Sequence, residues 1–89
     1  MNIKDKDVNR ILQSGPKDNN DVQKVASAFN EGKSGNDRVH LSHSNGGYNI
    51  SYNGERVAES ASADDTVSII AKIALSIGVS IVKTLFNKS

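Results

Sequence analysis

The chain has no cysteine and no tryptophan, and only one proline and one methionine among its 89 residues. Without cysteine there is no disulfide framework, no thiolate metal centre and no thiol nucleophile. Small domains bury little apolar surface and usually add a disulfide, a metal or a partner subunit. With the first removed and the second restricted to His, Asp and Glu, a partner subunit is the natural expectation. A cysteine-free chain suits a reducing interior, so the expected location is the cytoplasm. Aromatics are scarce: Phe29, Tyr48, Tyr52 and Phe86 are all there are, which leaves little to stack on exposed bases.

Charge of one sign is also missing. Residues 1–38 carry seven Lys/Arg against six Asp/Glu, and residues 39–89 carry four of each, for a formal net charge of +1. Neither a polybasic arm nor an acidic tail is present. The opening "MNIKDKDVNR" has mixed charges and no apolar run, so it does not read as a secretory signal. Asn49-Ile50-Ser51 fits a glycosylation acceptor and reads as chance in that setting.

What the chain does have is one concentrated apolar stretch, "IAKIALSIGVSIVKTLF", from Ile70 to Phe86. Before it, the pattern changes period twice. Val8, Ile11 and Leu12 have helical spacing over residues 4–13. Ser14-Gly15-Pro16 breaks that helix. Asn19 or Asn20 is suited to cap a second helix, with Asp21 in its first turn and Val22, Val25, Ala26 and Phe29 as its stripe. Gly32 stops it, and "GKSGND" (32–37) reads as a flexible loop. Val39 and Leu41, then Tyr48, Ile50 and Tyr52, alternate with polar residues, the period of half-buried strands. Ser44-Asn45-Gly46-Gly47 and Asn53-Gly54 are hairpin signals, and the third strand runs from Glu55 to Ser60 with Val57 inward. Ser62 caps a final helix, with Asp64 and Asp65 at its positive end.

The expected fold is α+β: two short N-terminal helices, a three-stranded antiparallel meander, and a long C-terminal helix packed on the sheet. Residues 1–89 form one small domain, with 1–18 a loosely attached segment. The last helix, drawn from Ala63 to Phe86, would run about 36 Å at roughly 1.5 Å per residue. A six-residue strand spans only about 20 Å. Its apolar arc is roughly 240° wide, against about 100° or somewhat more for a helix facing one core. That excess predicts self-association through Ala74, Ile77, Gly78, Ile81, Val82 and Leu85, and hence a homodimer. The spacing of Ala74 and Gly78 would let two helix backbones approach closely. A membrane span is disfavoured by Lys72, which costs about 2.5–3.5 kcal/mol at mid-bilayer. Lying flat on a membrane is disfavoured by a polar strip with only two lysines.

Chemistry-bearing motifs are sparse. His40 and His43, three apart on a strand, point to opposite faces and cannot share a metal. "GKSG" lacks the leading glycine and preceding strand of a phosphate loop, and no nucleophile elbow is present. No catalytic residue, metal site or cofactor is expected. The open sheet face, with His40, Ser42, Asn49, Ser51 and Arg56 beside Ala58, is the expected partner-binding surface. The outer edges of the meander could also accept a strand.

The order helix, three strands, helix over residues 20–80, with "YNISYNGERVAES" leading into the last helix, resembles the double-stranded RNA-binding domain. That resemblance implies nucleic-acid binding, with Lys24, Lys33, Arg38 and Arg56 converging into a basic patch. The family begins its final helix with phosphate-gripping lysines; here Ala63-Asp64-Asp65 stands instead. The leading expectation is therefore a non-enzymatic protein-binding module, a regulator or inhibitor of the kind encoded by phages and mobile elements, which covers a surface on a larger protein. Nucleic-acid binding and membrane association through the C-terminal helix are the alternatives.

Overall fold

The computed structural model describes residues 6–77. Its elements are α1 (Lys6–Ser14), α2 (Asn19–Asn30), a 3-10 turn (Gly35–Asp37), β1 (Val39–Ser44), β2 (Gly47–Tyr52), β3 (Glu55–Ala61) and α3 (Ala63–Ser76). The strands form one antiparallel sheet in the order β1-β2-β3. This is the expected α+β arrangement.

The helix boundaries follow from local chemistry. The cap of α2 is Asp18 rather than Asn19 or Asn20. Its extended backbone sets the carboxylate over the Asp21 N–H, which donates to it at 3.1 Å, satisfying one of the donors that a helix start leaves open. At α3 the Ser62 hydroxyl accepts from the Asp65 N–H at 3.1 Å, as expected. The first loop is less loose than "GKSGND" suggests: the Asn36 carbonyl accepts from the Asn53 N–H at 3.1 Å. This ties the 3-10 turn to the second hairpin.

Both hairpins turn through Asn-Gly, with positive φ at both positions: 52° and 79° at Asn45-Gly46, 56° and 80° at Asn53-Gly54. That pairing matches the right-handed twist of the flanking strands. β1 and β2 pair without interruption from Val39↔Tyr52 to Ser44↔Gly47. β3 does not keep step. It pairs Arg56 with Ser51, Ala58 with Ile50 and Ala61 with Tyr48, so it carries extra residues at two places. Such bulges bend a strand and shift its side chains between faces. The inward position therefore belongs to Ala58, which packs against the core, while Val57 is 44% exposed. The expected inward Val57 and outward Ala58 are both corrected by this slip.

All three helices lie on one side of the sheet and share one core. Val8 and Ile11 of α1, Val22, Val25 and Phe29 of α2, and Val67, Ile70 and Ala74 of α3 meet Val39, Tyr48 and Ile50 there. Val8 and Ile11 have no exposed surface, so residues 6–14 are built into the fold rather than loosely attached. Arg10 reinforces this by pairing with the buried Asp21 at 3.2 Å.

The described part of α3 is covered by α2, α1 and the sheet together, which is why a single chain hides more of it than a sheet alone could. Ile69 and Ile73 are half-buried, and only Leu75 (38%) and Ile77 (47%) stand out as exposed large apolar side chains on this helix. The predicted continuation to Phe86 lies outside the described residues.

Candidate functional site

With the helices gathered on one face, no described element covers the other face of the sheet. The strand register sets His40 opposite Ser51, and Ser51 opposite Arg56, so these three form one row across all three strands. Ser42 opposite Asn49 begins a second row. Sequence periodicity thus brought together the residues it proposed for this face. They are not equally free. The His40 Nε2–H donates to the Gly35 carbonyl at 3.2 Å, and the Asn49 side-chain oxygen accepts from the Ser60 N–H at 3.1 Å. Arg56 reaches Glu59 at 3.3 Å, with both side chains exposed; such surface pairs contribute about 0–1 kcal/mol.

His43 belongs to the other face. It stands opposite Tyr48, with ring centroids 4.7 Å apart. The Tyr48 hydroxyl donates to the Asn19 side-chain oxygen. Burial, followed by the nearby charge of Asp18, holds the Tyr48 phenol above its ordinary value. Among the described residues no group of three or more His, Asp or Glu is placed to hold a metal.

The proposed cations do not gather in one patch. Lys24 stands in the helical layer and donates to Asp7 at 3.0 Å, whereas Arg56 stands on the opposite, open side. Lys33 donates to the Phe29 carbonyl at 2.8 Å and sits 4.7 Å over the Phe29 ring. Arg38 donates through Nε to the Lys33 carbonyl at 2.8 Å. Lys33 and Arg38 are therefore neighbours just beyond the end of α2, while Lys24 is engaged by Asp7 of α1.

Of the residues proposed for self-association, Ala74 lies wholly inside the chain's own core and offers nothing to a second copy. Ile77 is exposed. Gly78, Ile81, Val82 and Leu85 lie outside the described residues.

Sequence reasoning missed the feature that distinguishes the β1 edge. The Asn30 side-chain amide, at the end of α2, bonds both backbone groups of Val39: Nδ2–H donates to its carbonyl at 3.0 Å, and Oδ1 accepts from its N–H at 2.8 Å. Backbone groups along an antiparallel strand alternate between the partner strand and the other side. Val39 bonds outward, so Leu41 and His43 also present theirs to the open edge. Among the described residues no hydrogen bond reaches them there. Neither composition nor periodicity signals this, because Asn30 and Val39 meet only when α2 is laid beside β1.

No family model, no curated protein and no solved structure matches this chain. The resemblance to the double-stranded RNA-binding domain therefore stands on element order. Among the described residues no helix is long and apolar enough to cross a membrane.

Proposed function

We propose that this chain is a small, non-enzymatic protein-binding module that acts as a regulator or inhibitor by covering a surface on another protein. The observation that carries this is the open sheet face, where His40, Ser51 and Arg56 align across three strands beside Ser42 and Asn49. It supplies hydrogen-bond donors and acceptors of several kinds on a regular backbone. A reducing interior such as the cytoplasm suits a chain without cysteine.

Nucleic-acid binding is the second reading, favoured by the element order. Against it stand Asp64 and Asp65 at the start of α3 and the separation of Lys24 from Arg56. Membrane association would have to use the C-terminal stretch, since the described part of α3 turns Val67, Ile70 and Ala74 into the core.

Affinity capture from the source cells tests the leading reading, using the wild-type chain beside a His40→Ala/Arg56→Glu variant. A protein held by the wild type and lost by the variant is the expected result. Equal capture by both would refute binding through this face. Retention on duplex RNA that weakens steeply with salt, through counterion release, would replace the reading with the second one.

A further inference from the structure

The free groups on β1 form a short, bounded window. At one end the Asn30 amide already occupies Val39. At the other, the strand turns away at Asn45-Gly46. Between them, Leu41 and His43 present backbone N–H and C=O groups with no partner among the described residues. The opposite edge offers no equivalent: β3 is bulged at two places and carries Glu55, Arg56 and Glu59, devices that discourage strand addition.

The occupant must bond to Leu41 and His43 and then leave the sheet before it meets the Asn30 amide. A long extended peptide would run on into that amide. A second copy of β1 would not. Laid antiparallel about a two-fold axis at Ser42, it places Leu41 of one copy opposite His43 of the other, each pair exchanging two hydrogen bonds. Ser44 of the second copy is then its last strand residue. Its Asn45-Gly46 turn carries the chain back toward its own β2 at the point where Asn30 stands. On the open face Ser42 meets Ser42 of the other copy in a close pair, Cα atoms about 4.5 Å apart, where small hydroxyls fit.

We infer that β1 is a self-pairing edge, through which two copies join their sheets into one continuous six-stranded sheet, with the Asn30 amide limiting the join to His40–Ser44. This deepens the protein-binding reading by naming one occupant, a second copy, and moves the self-association surface from α3 to the sheet.

The test is sedimentation of the intact chain over a concentration series, together with amide hydrogen exchange. The expected result is a dimer in which protection at Leu41 and His43 rises with concentration. In a monomer those amides stay unprotected. His43→Pro removes the outward N–H at an edge position where proline is tolerated. It should weaken the dimer by roughly 30-fold, two bonds being lost per dimer at about 1 kcal/mol each. His43→Ala retains the N–H and serves as its control for the lost contact with Tyr48. Ser42→Lys alters an exposed side chain and should weaken self-pairing roughly 5-fold by placing like charges opposite each other. Mixing it with Ser42→Glu should restore pairing as a heterodimer.

A chain that stays monomeric to millimolar concentration overturns the inference, as does a dimer indifferent to both His43→Pro and Ser42→Lys. Loss of self-pairing with outer-face capture intact removes this inference alone. A dimer behaving as described, with no capture by the outer face, removes the protein-binding reading and leaves β1 pairing as self-assembly.

Discussion

The two edges of this sheet are built from the same backbone and behave as opposites. β1 runs in unbroken register with β2 from Val39 to Ser44 and carries no Asp, Glu, Lys or Arg. β3 slips twice against the same central strand and carries Glu55, Arg56 and Glu59. Exposed edges invite pairing with other chains, and bulges and charges are the usual means of preventing it. Here one edge has that protection, and among the described residues the other is closed only at Val39, by a single side-chain amide. Protection is local: it acts where the chain supplies an extra residue or a side chain, and leaves the rest of the edge open.

The largest expected effect comes from the strand both edges share. Ile50 is fully buried and faces Leu41 on one side and Ala58 on the other. Ile50→Ala should cost about 2–5 kcal/mol by removing packed methyl groups, measured as a loss in unfolding free energy in urea. If the cost falls well below that range, the two edges are not held by a common core.

Next comes the protected edge. A Cβ on Gly47 would stand 2.5 Å from the Ser60 carbonyl carbon, and Ser60 itself has φ of 53° in the bulge. Gly47→Ala should therefore force β2 and β3 apart and cost about 1–3 kcal/mol, with faster amide exchange in β3 but not in β1. Uniform loosening of both edges would show that the bulge is not locked by this contact.

On the other edge, Asn30→Ala strips both partners from the buried Val39 backbone. Leaving buried polar groups unmade costs about 1–3 kcal/mol. The same change lengthens the free window by one bonding position, so any self-pairing through β1 should tighten relative to the wild type even as the monomer weakens. Thermal denaturation and sedimentation read the two effects separately. Asp18→Ala, which removes the α2 cap and none of the hydrogen bonds of the β1 edge, should cost about 1 kcal/mol and leave self-pairing unchanged.

Asp21 and Lys24 give the helical layer its pH dependence, while the shifted group of the sheet is the Tyr48 phenol. The Lys17 backbone N–H, and then the Arg10 guanidinium, hold the Asp21 carboxyl below its ordinary value. A group with a lowered folded pKa contributes stability that is complete above the unfolded value, about 3.9 for Asp, and is lost as pH falls through the folded one. Lys24 is raised by its bond to Asp7, so its contribution is complete below its unfolded value and fades only as pH rises through the folded one. Asp21→Asn should lower the urea midpoint at pH 7, and the difference from the wild type should shrink at pH 2–3. An unchanged difference would show that the carboxylate's charge is not what Asp21 supplies. The smallest effect is expected from Arg56→Ala: within about 1 kcal/mol, because its pair with Glu59 is exposed.

Elements that depend on neighbours in sequence were legible without coordinates. Asn45-Gly46 and Asn53-Gly54 specify their turns through backbone angles that few other residue pairs adopt. Ser62 caps α3 because a hydroxyl sits three residues before an open N–H. The alternation in β1 and β2 placed His40, Ser42, Asn49 and Ser51 on the open face. It failed at Val57 and Ala58 because period-two reasoning assumes that no residue is inserted, and β3 inserts one between Arg56, opposite Ser51, and Ala58, opposite Ile50.

The residues alone determined three helices, three strands, their order and the pattern of the open face, because capping, turn geometry and periodicity act over a few positions along the chain. Only the tertiary structure decided that α1 lies within the core, that Ala74 faces inward, and that Asn30 closes Val39 while no described residue closes Leu41 and His43. Those outcomes depend on groups distant in sequence arriving at the same place, where burial and unpaired hydrogen bonds are settled between elements.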